Sequence, residues 1–199
     1  MKKLIVVNLI SLDGYAAGEG GNVYVMPLDE SFSEYNAEAM RGADTLLYGA
    51  DTYRGMLGYW PDIEADEEQP AVEREISSYC NSYAKVVVSD SLTTEDTGVW
   101  AGSTEVVSRA DAHRRIAELK QGEGRDIVMF GSTVVWNDLL AAGLIDELHF
   151  QVGAGAVGSG VPAFQQAFGG HAFDGSLTLL EARQLAGSPN VLLRYAVSA

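Results

Sequence analysis

The sequence predicts an α/β fold: a mostly parallel central sheet of about eight strands, flanking helices, and antiparallel strands towards the carboxyl end. Two patterns carry this expectation. Apolar, β-rich runs at residues 3–10, 44–48, 84–89, 104–107 and 126–130 alternate with segments of helical spacing, the signature of parallel strands joined by crossovers. After residue 145 the pattern changes, and Ile145 to Val152, Leu177 to Ala182 and Val191 to Val197 read as strands with no long helix between them. A length of 199 residues fits one domain spanning 1–199.

Each element has a local reason. Met1-Lys2-Lys3 before Leu4-Ile5-Val6-Val7 imitates a signal peptide, but Asn8, Ser11 and Asp13 interrupt the apolar run, and its Ile and Val favour a first strand. Phe32, Tyr35, Ala39 and Met40 form one helical stripe that Gly42 stops. Ala50 to Met56 reads as a short helix, and the acidic run Asp62 to Gln69 as a solvated loop. Val72, Ile76, Tyr79 and Tyr83 form a second stripe after Pro70. Ser108 and Asp111 begin a helix that turns Ala112, Ile116 and Leu119 inward and ends near Gly122. Thr133 to Ala142 is a further helix, stopped by Gly143.

Composition excludes several classes of function. With 13 Lys+Arg against 28 Asp+Glu, the net charge of −15 opposes binding to nucleic acid and to anionic membranes. No apolar stretch approaches the ~20 residues of a membrane span. The single cysteine, Cys80, allows no internal disulfide and no cysteine-based zinc site, which fits a cytoplasmic protein; its place in a helical stripe suits core packing. His113, His149 and His171 share no metal-ligand spacing, so no metal is expected. Asp146-Glu147 reads as surface charge.

In open α/β sheets ligands gather beyond the carboxyl ends of the strands. There the sequence places Asp13-Gly14, then Gly49 with Thr52 at a helix start, then Ser89, then Gly131-Ser132-Thr133-Val134, where a strand meets a helix whose amides suit an anion. Gly153-Ala154-Gly155-Ala156-Val157-Gly158 matches G-x-G-x-x-G, but Ser159-Gly160-Val161-Pro162 follows it instead of a helix, so it reads as a glycine-rich loop.

In this order the motifs resemble the dihydrofolate reductase-like family, in particular the reductase domain of the riboflavin-biosynthesis deaminase-reductase and its stand-alone relatives. The resemblance rests on Ser11-Leu12-Asp13-Gly14, Gly49-x-x-Thr52-Tyr53 with Trp60-Pro61, Lys85 to Ser89, and Gly143 to Leu148 followed by Gly158-Ser159-Gly160 and Phe164. It implies an NADPH-dependent reductase, without metal and commonly a homodimer. It also implies that Gly49, Thr52, Tyr53, Ser89, Gly131, Ser132, Thr133 and Val134 hold the cofactor. Where the family often carries a basic residue this chain has Ala50, leaving Arg54 or Arg109 for the 2′-phosphate; Ser132 replaces a usual glycine, and Ala154 a usual proline. The family's zinc-dependent deaminase half has no counterpart here.

The implied substrate is 5-amino-6-(5-phosphoribosylamino)uracil, a dihydropterin, or another small conjugated carbonyl or imine. The alternative is a non-catalytic ligand-binding protein that retains the fold. Asp13, with Gly14 beside it, is expected at the nicotinamide end, orienting substrate or relaying a proton; Asp29 and Glu30, opening the first helix, are the competing acids. Trp60 is expected to wall the same pocket.

Overall fold

The computed structural model describes residues 1–165, 173 and 175–198. In chain order its elements are β1 (Leu4–Ser11), β2 (Tyr15–Ala17), α1 (Glu30–Arg41), β3 (Ala43–Gly49), α2 (Ala50–Tyr59), α3 (Ala71–Ser82), β4 (Ala84–Val88), β5 (Thr104–Val107), α4 (Arg109–Gln121), β6 (Asp126–Phe130), α5 (Thr133–Ala141), β7 (Glu147–Gly153), β8 (Val161–Pro162), β9 (Ser176–Gln184) and β10 (Val191–Ser198). The eight-stranded sheet has the order β5-β4-β3-β6-β1-β7-β10-β9, and β2 pairs with β8 apart from it. Two compact units divide the chain, one of Met1–Leu4 and Ser33–Ser132, the other of Ile5–Phe32 and Thr133–Ala199. No helix among the described residues is long and apolar enough to cross a membrane.

In the first unit β3 runs parallel to β4 on one side and β6 on the other, and β5 continues the sheet beyond β4. Leu46 to Tyr48, Val86 to Val88 and Ile127 to Phe130 are buried at consecutive positions, which a strand shows only when both of its faces are covered. The covering helices keep most of the expected stripes, with instructive differences. In α1 the buried side chains are Ser33, Tyr35, Ala37 and Met40, while Phe32 and Ala39 are only half-buried. A serine can turn inward there because its hydroxyl donates to Glu73 of α3. In α3 Val72, Ile76 and Cys80 are buried together with Ser77, whose hydroxyl donates to the Trp60 carbonyl at 2.6 Å. Tyr79 and Tyr83 stack at the rim, 5.1 Å between centroids. Ser108 caps α4 by accepting from the Asp111 amide at 3.2 Å, and Gly122 ends it. A 3-10 helix over Thr94–Ser103, for which the sequence shows no helical stripe, carries a Thr93–Asp96 capping box and buries Trp100.

In the second unit β1 is parallel to β7, β10 is antiparallel to β7, and β9 is antiparallel to β10, as the change of pattern after residue 145 predicts. Trp136 of α5 packs with Phe150 and Phe164 at centroid distances of 6.2 and 5.4 Å. Glu147 corrects the surface-charge expectation: it is buried, its carboxylate lies 2.8 Å from His149 Nε2, and it accepts from Arg194 at 3.1 Å. A cross-strand guanidinium makes the burial tolerable. Burial pushes the His149 pKa down despite its Glu147 contact, so the imidazole is a structural member of this cluster. His113 is exposed on α4, and His171 lies outside the described residues.

A second buried polar group, in the first unit, generates a test. Lys85 is 1 % exposed, and its Nζ donates to the Tyr83 carbonyl at 2.7 Å and to Ser103 Oγ at 3.0 Å, 4.9 Å from the Trp100 ring centroid. Burial pushes its pKa down to about 8, while burial pushes the nearby Cys80 thiol up to about 12 and leaves it inert. A lysine with a folded pKa below its unfolded value of ~10.4 binds fewer protons in the folded state across that interval. Its burial therefore costs most below about pH 8, and the cost fades as pH rises towards about 10. In denaturant titrations the wild type should gain stability on Lys85→Met across this window; a difference that stays constant with pH would refute the assignment.

Candidate functional site

The parallel register of the first unit fixes which strand ends lie side by side. Gly49 is opposite Val88, Val88 is opposite Val107, and Leu47 is opposite Met129. The turns that follow these strands therefore share one edge of the sheet, which carries Gly49, Thr52, Ser89, Arg109, Gly131 and Ser132.

At the centre of this edge are two turns. Gly49 is extended (φ −88°, ψ 164°) and caps α2. Gly131 and Ser132 follow β6 with φ of 57° and 53°. A Cβ on Gly131 would lie 3.1 Å from both Cγ2 and Oγ1 of Thr52, so both the left-handed backbone and the close approach call for glycine. The Gly49 amide donates to Ser132 Oγ at 2.8 Å, and the Ser132 amide donates to Thr52 Oγ1 at 3.0 Å. The amides in the first turn of α2 have no intrahelical acceptor and carry the positive end of the helix dipole, which suits an anion.

On either side the arrangement is more restricted. Ser89 Oγ accepts from the Ser91 and Leu92 amides at 3.1 and 3.0 Å, so it shapes its own turn. Arg109 opens α4, its amide donating to Asp90 Oδ1 at 2.8 Å and its Nε lying 3.6 Å from Asp90 Oδ2. Arg54 is exposed on α2 and pairs with Asp51 at 3.1 Å.

One expectation is corrected here. Tyr53 is fully buried, its hydroxyl 3.0 Å from Thr104 Oγ1 and 3.2 Å from the Thr97 carbonyl, and its ring is edge-on to Trp100; it is a core residue with no face left for a cofactor. Trp60 follows the far end of α2, about 15 Å from Gly49 at 1.5 Å per residue. Its indole donates to Met56 Sδ at 3.0 Å and its ring packs on Tyr59.

In the second unit Thr133 and Val134 open α5. There β1 ends at the buried Ser11, and Asp13 follows in an exposed turn with Gly14 at φ 85°. The Asp13 carboxylate accepts from Ser11 Oγ at 2.6 Å, from the Val157 amide at 3.0 Å and from the Gly158 amide at 2.7 Å. These donors, Ser11 first, bring its pKa down to about 2. The carboxylate thereby ties the turn after β1 to the glycine-rich loop. That loop opens no helix, as its sequence context implies. It approaches the β2 segment so closely that a Cβ on Gly160 (φ 137°) would lie 2.3 Å from the Ala17 carbonyl oxygen. The sequence offered Asp13 and the loop separately, but nothing in it links residues 144 positions apart.

Asp29 accepts from Ser31 Oγ at 2.6 Å, from the Phe32 amide at 3.1 Å and from Ser188 Oγ. Burial pushes its pKa up, but these hydrogen bonds prevail and hold it below the usual carboxylate value, so Asp29 acts as the cap of α1. Glu30 is exposed in the first turn.

The family model described as the RibD C-terminal domain matches residues 2–187. No curated protein matches. Among solved structures, a candidate riboflavin biosynthesis protein from Shewanella sp. PV-4 superposes with a TM-score of 0.67 at 20% identity, covering 99% of each chain. A pyrimidine reductase-like protein from Corynebacterium diphtheriae gives 0.63 at 17% identity, over 100% of this chain and 92% of that one. Dihydrofolate reductase from Enterococcus faecalis, complexed with NADP(H), gives 0.55 at 14% identity, over 99% and 97%. At these identities the structures establish the fold, which is dihydrofolate reductase-like.

The Asp13 clamp is open to direct measurement. Asp13→Ala should raise hydrogen exchange at the Val157 and Gly158 amides by about tenfold or more, while the sheet amides stay protected. Unchanged exchange at those two amides would show that the carboxylate does not hold the loop.

Proposed function

Because the chain belongs to the RibD C-terminal domain family, we propose that residues 1–199 act as one NADPH-dependent reductase domain for a small conjugated carbonyl or imine. The observation that carries this reading is the pair of turns at Gly49–Thr52 and Gly131–Ser132, a cradle that a Cβ at Gly131 would crowd. The residues there fit a dinucleotide: small side chains, helix amides and hydroxyls suit its diphosphate. NADPH, when bound, supplies the hydride. The chain's own residues bind and orient. Gly49, Thr52, Gly131 and Ser132 receive the diphosphate, and Ser89 shapes the neighbouring turn. Arg109, at the same edge, is the better partner than Arg54 for the 2′-phosphate. Asp13 with Gly14 holds the glycine-rich loop in place for substrate, and the accompanying proton comes from solvent or from the exposed Glu30 rather than from Asp13 or Asp29.

Family membership favours 5-amino-6-(5-phosphoribosylamino)uracil as substrate, with a dihydropterin as the second choice. The acidic chain, with few basic residues, favours small-molecule partners over nucleic acid. We also propose a homodimer. Strand β9 ends the sheet with Leu177, Leu179 and Leu180 exposed, and a long apolar edge of this kind invites pairing unless a partner covers it.

Titration with NADPH and NADH, followed by tryptophan quenching, should give saturable binding of NADPH. Arg109→Ala should weaken NADPH about tenfold and leave NADH unchanged, since a charge-assisted contact to the 2′-phosphate is all that separates the two cofactors. No binding of either cofactor by the wild type would sink the assignment. Binding without oxidation across both substrate classes would favour a non-catalytic binding protein.

Sedimentation at micromolar concentration should give a dimer that Leu179→Lys converts to monomer. A wild-type monomer would remove the dimer from the proposal.

A further inference from the structure

The turn between β9 and β10 stands at the edge of the second unit where β1 ends and the glycine-rich loop begins, since Val191 is opposite Val152 and Ser11 is opposite Gly153. At the close of this turn lies Asn190, a polar residue with no exposed surface. A buried side-chain amide must find partners for its N–H and C=O groups. Asn190 finds them on two separate segments. Its Nδ2 donates to the Pro27 carbonyl at 3.3 Å, and its Oδ1 accepts from the Ala154 backbone amide at 3.3 Å. Chemistry fixes the direction of both bonds, because a carbonyl can only accept and a backbone N–H can only donate.

The turn that carries this side chain is itself braced. The Asn190 carbonyl accepts from the Leu185 amide at 2.9 Å, and the Asn190 amide donates to Ser188 Oγ at 3.1 Å. Ser188 Oγ in turn donates to Asp29, two residues beyond Pro27. Pro27 approaches the end of β7 so closely that a Cβ on Gly153 would lie 3.2 Å from Pro27 Cδ. Asn190 therefore stands between the root of the glycine-rich loop and the segment that leads into α1, and it sets the spacing between them.

The loop itself is open to water: Ala154 and Gly158 to Gly160 are exposed. An exposed loop can give its amides to solvent, so its stability alone does not call for a buried side chain at its root. Yet Asn190 holds the root, the Leu12 amide holds the Gly155 carbonyl at 2.9 Å, and Asp13 holds the tip. Fixing an exposed loop at several points, at the carboxyl edge of a parallel strand pair, is what alignment of a bound ligand demands.

We propose that Asn190 is a positioning residue of the reductase: by joining the Ala154 amide to the Pro27 carbonyl, it fixes where the glycine-rich loop meets the substrate. It acts through the loop and touches no substrate itself. The inference rests on the reductase reading and deepens it, adding a second, buried support to the loop that Asp13 holds.

The test separates substrate from cofactor. Asn190→Leu keeps the volume and removes both hydrogen bonds. Asn190→Asp keeps both only when protonated, its O–H replacing the amide donor and its carbonyl oxygen the acceptor. Burial raises the pKa of such a carboxyl, so it is neutral in mild acid and ionised in mild base. The substrate is 5-amino-6-(5-phosphoribosylamino)uracil or a dihydropterin, whichever the wild type reduces. Asn190→Leu should raise its KM about tenfold, while Kd for NADPH, followed by tryptophan quenching, stays within about twofold of the wild type. Asn190→Asp should match the wild-type KM at about pH 5.5 and approach that of Asn190→Leu at about pH 8.5. Equal losses in KM and in NADPH Kd, an unchanged KM in both variants, or a KM ratio of Asn190→Asp to wild type that ignores pH would each overturn the positioning role. If Asn190→Leu fails to fold, the Asn190→Asp profile decides, with its protonated form as the folded reference. Hydrogen exchange at the Ala154 amide keeps the two readings apart. Unchanged exchange in Asn190→Leu would overturn the link from Asn190 to the loop, whereas a wild type that reduces neither substrate would overturn the reductase reading and the positioning role with it.

Discussion

Parallel pairing of β3 with β4 and β6 is the constraint from which most of the first unit follows. Parallel neighbours send all their carboxyl ends to one edge, and each strand must be followed by a crossover that returns the chain to the other edge. Buried on both faces, these strands need helical cover, and α1, α3 and α4 provide it with stripes that include Tyr35, Ile76 and Ile116. The same geometry puts the start of every following helix at the carboxyl edge. Unpaired amides accumulate there, and their demand for acceptors is met in part by serine and threonine hydroxyls: Ser108 for Asp111, Ser89 for Leu92, Thr52 for Ser132.

The second unit is organised by a different economy. Its conspicuous carboxylates, Asp13 and Asp29, each gather several donors and so remain ionised. Such groups join distant segments of chain: Asp13 ties the turn after β1 to the glycine-rich loop, and Asp29 ties the start of α1 to Ser188. Multiple hydrogen bonds to a carboxylate stabilise its charged form, so a good clamp is a poor proton donor.

Buried charge marks both units, with different solutions. Glu147 and His149 share their neighbourhood with Arg194, whose guanidinium also reaches Glu181 across the antiparallel strands. Lys85 has no carboxylate beside it in its hydrogen bonds; a carbonyl, a hydroxyl and the face of Trp100 surround it, and its pKa falls accordingly.

Local sequence alone determined the strands at 44–48, 104–107 and 126–130 to within a residue or two, the caps at Ser108 and Gly122, and the rejection of a nucleotide fingerprint at Gly153 to Gly158. Each of these depends on neighbours along the chain: side-chain periodicity, a hydroxyl three residues from an amide, a helix that does or does not follow. Sequence also set out the carboxyl-edge residues in order, because α/β connectivity fixes on which edge a strand ends. Tertiary structure alone decided that Tyr53 belongs to the core although Thr52 beside it faces the cradle, and that Glu147 is buried with Arg194. It alone joined Asp13 to Val157 and Gly158. The reason is common to all of these: a side chain's role depends on which groups reach it across the sheet or between loops, and hydrogen bonds spanning tens to more than a hundred residues leave no periodic trace in the sequence.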